Sequence, residues 1–185
     1  MYRGAEVIIA AAYAHGRIIG TDEGIPWKQD LDCQELVTED IKRLRKLIQG
    51  SSVIVGRKTY EEICQVPSDP IEQKWSAEVL VLSRNPRFYP RHRCATVCHT
   101  LGKALDFASQ EKIVIFGGAE VYNTVLERGD LVDRIELTTI EKVFQTKKVT
   151  VKFPEFPLHT WQMTSYEENM TSAGVRYRFL QYGRR

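Results

Sequence analysis

Asp40 stands on what reads as the apolar face of a helix, three residues after Val37 and four before Leu44. A carboxylate turned toward a core is costly unless something pairs with it, so the position argues for a site. A capping role near the helix start explains the same residue equally well. Three further segments carry chemistry at strand ends. Val53-Ile54-Val55 runs into Gly56-Arg57-Lys58-Thr59, which brings a helix start, two cations and a hydroxyl to one place. Ile113 to Phe116 runs into Gly117-Gly118, where glycines let a pyrophosphate or a ring approach the backbone. Leu82-Ser83-Arg84 adds a hydroxyl and a planar guanidinium fork suited to a terminal phosphate. Gly24-Ile25-Pro26-Trp27 is a glycine-bounded loop with a fixed end. Each fragment alone also reads as a solvated turn or a conformationally required glycine. Their joint order points to a nucleotide cofactor gripped at strand ends beneath a lid.

The elements that must hold these groups follow from periodicity. Apolar strands are predicted at Val7 to Tyr13, Val53 to Val55, Val79 to Leu82, Thr96 to Cys98 and Ile113 to Phe116. Helical patterns lie between them at 36–49, 58–65, 101–109 and 119–127. In the first helix, Val37, Ile41, Leu44, Leu47 and Ile48 form the apolar stripe, flanked by Lys42, Arg43, Arg45 and Lys46. This alternation predicts an α/β protein with a mostly parallel central sheet. Arg134 to Thr139, Trp161 to Glu167 and Val175 to Tyr182 then alternate polar and apolar residues without helices between them, and Thr171-Ser172-Ala173-Gly174 reads as a hairpin turn. The expectation is one domain over residues 1–185, with a mixed sheet of about eight strands flanked by helices and closed by a C-terminal antiparallel hairpin.

Totals exclude other classes. A net charge of +2 over 185 residues gives no argument for nucleic acid as a partner. No stretch approaches the ~20 apolar residues of a membrane span, so the expected compartment is the cytoplasm. Cysteines stand at 33, 64, 94 and 98. Cys94 and Cys98, near His92 and His99, raise the question of a metal. A strand through Ala95-Thr96-Val97 sends the two thiols in divergent directions, and thiols in a reducing compartment are the plainer reading.

With these segments assembled, the chain resembles the dihydrofolate reductase family. The resemblance rests on Ile18-Ile19-Gly20, Ile25-Pro26-Trp27, Glu39-Asp40-Ile41-Lys42-Arg43-Leu44, Val55-Gly56-Arg57-Lys58-Thr59-Tyr60-Glu61 and Val81-Leu82-Ser83-Arg84. It continues through Phe116-Gly117-Gly118-Ala119-Glu120-Val121-Tyr122, Leu137-Thr138-Thr139-Ile140 and Phe153-Pro154, in unbroken order over nearly the whole chain. It implies a monomer of that family's three-layer fold, reducing 7,8-dihydrofolate with hydride from NADPH. Asp40 is then the pocket acid that binds the pterin ring, its pKa raised by burial. Trp27 anchors an ordered water, Thr138 hydrogen-bonds the carboxylate, and Tyr122 lies near both rings. Ala10, Ala11, Ala12, Ile25, Ile41, Leu44, Ile63 and Phe116 are implied around the substrate. For the cofactor the resemblance implies Ala12, Ile19 and Gly20 at the nicotinamide, and Arg57, Lys58 and Thr59 at the phosphates. Ser83 and Arg84 fall at the 2′-phosphate, and Gly117, Gly118, Ala119, Glu120 and Val121 on the pyrophosphate side. Residues 20–26 become the lid, and the Gly-Gly bond a cis peptide. No metal is implied.

The chain departs from the family pattern in three places. The family sets its pocket acid close behind the Trp. Asp32 keeps that spacing, whereas Asp40 comes thirteen residues after Trp27, which implies an insertion around Lys28 to Thr38. The sequence leaves both acids open and favours Asp40 for its place on the apolar stripe. The family's arginine for the folate tail is missing, with Lys74 nearby as a point charge. Thr150 stands where an Asp often meets the lid, and Gln145 to Lys148 lengthen the preceding loop. Ala10 and Leu44 replace larger residues, enlarging the pocket and weakening its packing against antifolates. Another pterin, a ribosylated pyrimidine, or nucleotide binding without turnover are the alternatives to dihydrofolate reduction.

Overall fold

The first apolar run becomes β1 (Glu6–Ala14), and its Val7, Ile8, Ile9 and Ala10 are all buried, as a strand covered on both faces requires. Each such aliphatic side chain withdrawn from water contributes about 1.5–3 kcal/mol. The computed structural model describes residues 1–63, 77–92, 94–145 and 149–185.

After β1 come β2 (Ile18–Thr21), α1 (Gln34–Ile48), β3 (Ser52–Gly56), α2 (Arg57–Ile63), β4 (Glu78–Leu82) and β5 (Ala95–Cys98). They are followed by α3 (Leu101–Phe107), β6 (Lys112–Ile115), α4 (Ala119–Leu126), β7 (Arg134–Ile140), β8 (Thr150–Lys152), β9 (Trp161–Met170) and β10 (Arg176–Arg184). All ten strands belong to one sheet in the order β5-β4-β3-β6-β1-β7-β10-β9, with β2 and β8 paired off the edge of β1. From β5 to β7 every pairing is parallel, and β7, β10 and β9 are antiparallel. The expected mixed sheet and closing hairpin are therefore present. Gly174 takes φ +83° in the hairpin turn and donates its N–H to the Thr171 carbonyl at 2.9 Å.

Two strands escaped the sequence reading. β2 and β8 have only four and three residues, too few for an alternation to register, and they pair with each other from distant parts of the chain. Helix phase also differs from expectation. Leu36 and Ile48 are the buried members of α1, with Val37, Leu44 and Leu47 partly covered, while Ile41 is 40% exposed. The inward stripe thus runs through 36, 40, 44 and 48, which places Asp40 at its middle rather than its border. Because α1 starts at Gln34, Asp40 lies beyond the first turn and caps nothing. In the second helix, residues 64 and 65 of the expected range fall outside the described residues.

The chain steps outward from β1 through β3, β4 and β5, with α1 and α2 packed on one face beside Val53, Val55, Val79 and Val81. It then returns through β6 to β7, and α3 and α4 cover the other face beside Ile9, Ile54 and Leu80. The reversal leaves a crevice beyond the C-terminal ends of β1, β3 and β6, where an open parallel sheet takes its ligands. Cys98 is buried under α3 and Cys94 packs against the α1/α2 face, so the two thiols do point apart.

Candidate functional site

Strand alternation on β7 turns Thr138 toward α1, and its hydroxyl donates to Asp40 Oδ1 at 2.5 Å. Asp40 is half-buried, and withdrawal from water raises its pKa despite the Thr138 bond and the nearby Arg43 and Lys28 charges. Asp32, the other acid left open by the sequence, is 58% exposed and paired with Lys142 at 2.8 Å. Of the two acids, Asp40 is the one turned inward against Thr138.

Trp27 is buried in the short turn Pro26–Lys28, with its ring 6.3 Å from that of Phe144. Tyr122, on α4, comes from the other face and donates its hydroxyl to the Ala10 carbonyl at 2.7 Å. Burial first, and then the Asp40 charge, push the Tyr122 phenol above its ordinary range, so the hydroxyl stays neutral. Ala10, Leu44, Ile63 and Phe116 form an apolar cluster beside this pair, while Ala12 and Ile25 pack with Trp27.

Two of the expected residues face the Tyr122 side of the sheet. The side chains of Ala11 and Ile19 pack into the cluster under α3 and α4, away from Asp40. Residue 11 alternates with 10 and 12 along β1, so a strand that offers Ala10 and Ala12 to the pocket must turn Ala11 the other way. Ile41, 40% exposed, stands beside the stripe that carries Asp40.

The cradle at the ends of β3 and β6 depends on small residues. Gly56 donates to the Gly117 carbonyl at 2.6 Å, and the Gly117–Gly118 peptide is cis. A Cβ on Gly117 would lie 2.9 Å from the Tyr122 ring, and one on Gly118 would lie 3.2 Å from the Thr59 hydroxyl. One on Gly56 would meet Val121 at 3.2 Å. These backbones are therefore stacked as closely as chain allows. Around them stand Lys58, exposed, and Arg57, which holds Glu61 at 2.9 Å and lies 6.0 Å over Phe88. Arg84 meets Glu120 at 3.1 Å, joining the end of β4 to the start of α4, while Ser83 is buried behind it. Glycine backbone at the floor and three cations at the rim suit a phosphorylated dinucleotide, whose pyrophosphate needs close approach and whose charges need partners.

Over the crevice, Thr21 and Gly24 exchange backbone hydrogen bonds at 2.8 and 3.2 Å, closing the expected lid into a small loop. Thr150 meets this loop through its main chain, paired opposite Thr21. Glu62 on α2 reaches Lys28 at 3.8 Å across the mouth. Lys74 and residues 146–148 lie outside the described residues. A second, open groove of about 710 Å³ on the α3/α4 face, lined by Tyr13, Arg17, Lys152, Tyr166 and Arg178, has none of these glycines.

Sequence reasoning passed over one buried acid. Glu136, two residues before Thr138 on the same face of β7, is 7% exposed and accepts from Arg43, from Arg134 at 2.8 Å and from Gln181 at 2.7 Å. The signal was available, because the argument that singled out Asp40 applies equally to a carboxylate on an inward strand position.

A profile of the family described as dihydrofolate reductase matches residues 6–184. The chain is 28% identical over 169 residues to a dihydrofolate reductase of Bacillus subtilis (strain 168), spanning 90% of this chain and 87% of that one. It is 27% identical over 174 residues to the dihydrofolate reductase HdrB of Haloferax volcanii, spanning 92% and 81%. The solved structure of a dihydrofolate reductase from Enterococcus faecalis complexed with NADP(H) and RAB-propyl aligns with a TM-score of 0.76 at 19% identity. That alignment covers 98% of this chain and 97% of that chain, a likeness of fold.

Proposed function

The chain belongs to the dihydrofolate reductase family, and from that premise we infer that it reduces 7,8-dihydrofolate to 5,6,7,8-tetrahydrofolate as an NADPH-dependent oxidoreductase. The observation that carries the residue assignment is the hydrogen bond from Thr138 to a half-buried Asp40 whose proton affinity is raised. Overall, hydride adds to C6 of the pterin and a proton to N5.

NADPH, when bound, supplies the hydride. Asp40 accepts hydrogen bonds from N3 and the 2-amino group of the pterin and holds the ring in a protonatable form. A water near N5 carries the proton, with Trp27 walling it beside the acid. Thr138 fixes the orientation of the carboxylate, and Tyr122, anchored to Ala10, presents a neutral hydroxyl dipole to the charge that develops. Ala10, Ala12, Ile25, Leu44, Ile63 and Phe116 exclude bulk water from the rings. Gly56, Gly117 and Gly118, with Thr59, Ala119, Glu120 and Val121 around them, form the dinucleotide cradle, while Arg57, Lys58, Ser83 and Arg84 answer its phosphates. We read the 185 residues as one domain acting as a cytoplasmic monomer on a small molecule, without nucleic acid. Among the described residues no helix is long and apolar enough to cross a membrane.

The assignment of Arg84 has a direct check. Its Glu120 partner is itself exposed, so Arg84 exchanges that contact for a 2′-phosphate at little cost. Steady-state kinetics of Arg84→Ala should show KM for NADPH rising about tenfold, as expected for a charge-assisted bond, with KM for NADH unchanged. Equal effects on the two cofactors remove Arg84 from the 2′-phosphate site.

A further inference from the structure

Asp40 does not face an apolar floor. One helical turn later Arg43 reaches Glu136, and its guanidinium lies 4.8 Å over the Phe179 ring. Glu136 also takes a bond from Arg134 Nη1 at 2.8 Å. Arg134 reaches on to Glu6, with Nη2 at 3.3 Å; its Nε, 3.0 Å from the same carboxylate, is misaligned for a hydrogen bond. The two acids thus occupy neighbouring inward positions of one surface, Glu136 on β7 and Asp40 against Thr138 two residues further along. That spacing is about 7 Å along a strand, close enough for each charge to act on the other.

We propose that Arg43 and Glu136 are positioning residues, an opposed charge pair beneath the pocket that sets the pH at which the pterin-binding carboxylate of Asp40 gains its proton. The inference rests on Asp40 being the pocket acid of a reductase. Arg43 answers two carboxylates at once. Without it, Asp40 faces an anion answered only by Arg134, itself shared with Glu6; without Glu136, Asp40 faces an unopposed cation. Among the other groups around Asp40, Lys28 also favours its ionised form. Lys28 comes from the Pro26–Lys28 turn but leans to Glu62, and Tyr122 from α4 stays neutral. On α1, Glu39 is occupied with Lys42 at 2.7 Å, and β10 offers Gln181, Phe179 and Tyr177, whose phenol is pushed up by burial and stays neutral. Arg134 stands behind Glu136 and is shared with Glu6.

The test reads pH midpoints in two ways. One is the alkaline limb of turnover with NADPH and dihydrofolate; the other is the Asp40 carboxyl carbon followed by NMR in ligand-free protein. Arg43→Met should move both midpoints up by about one pH unit and Glu136→Gln should move both down by a similar amount. The double variant should return to within about 0.3 unit of the parent, and Arg43→Lys, which keeps the charge but not the fork, should lie near it. A structural role alone would lower turnover in both single variants without moving the midpoints in opposite senses. Arg43→Met leaves the buried Glu136 with Arg134 and Gln181 alone and can fail to fold. Glu136→Gln and the double variant then carry the decision, and a Glu136→Gln midpoint unmoved or raised overturns the proposal. A parent that consumes no NADPH with dihydrofolate refutes the reductase reading, while the ligand-free titration still decides the charge pair.

Discussion

Asp40→Asn loses about two to four orders of magnitude in turnover, the range of a positioned acid–base group, while the protein becomes more stable at neutral pH. The sign follows from the raised proton affinity of the folded state. Below the ordinary carboxylate value near 3.8 the group is neutral whether folded or unfolded and costs nothing. As pH rises past that value the unfolded chain ionises first, so stability falls until the folded pKa has been passed. Asparagine removes that penalty and keeps an acceptor for Thr138. The expected gain is about 1 kcal/mol, or about 2–4 °C in Tm, and it vanishes below about pH 4. Thermal melts across pH, set beside turnover assays, check both halves. Asp32→Asn should leave turnover within about twofold, since its partner is a surface ammonium.

Gly117→Ala is the second large effect. The residue has φ +92°, and the added methyl would stand 2.9 Å from the Tyr122 ring. Backbone strain for a non-glycine residue and overpacking each cost about 1–3 kcal/mol, so a loss of about 3 kcal/mol is expected, or roughly 6–12 °C in Tm. Tyr122 must also leave the Ala10 carbonyl, and KM for NADPH should rise at least about tenfold as close approach to the cradle is lost. Gly50→Ala separates the causes. Gly50 has φ +65° with nothing within 4 Å of its added carbon, so it should cost about 1 kcal/mol and leave KM alone. Melting curves and cofactor titrations of the two variants decide whether position or merely glycine content matters.

Much of this site was legible because its signals are local. Strand ends at Gly56 and Gly117, the cations after them and an acid at helical spacing from apolar neighbours all lie within a few residues of one another in the chain. What escaped depends on tertiary partners. Arg43 reads as a flanking surface cation until Glu136 is found ninety-three residues away. β2 and β8 gain their strand character from each other, since neither has length enough to declare it. Ile41 and Ala11 lie one step from the positions that face Asp40, for a simpler reason. A helix stripe read from composition leaves its phase uncertain by one residue, and a strand offers alternate residues to opposite faces.

The stretch ahead of α1 and the segment after β7 lean on one another. Lys142 holds both Asp30 and Asp32 at 2.8 Å, and Phe144 lies against Trp27. They behave as a matched set, and a chimaera that shortened the first alone would strand an ammonium group and uncover an aromatic wall. Transplanting loops between this protein and its kin therefore has to proceed in pairs.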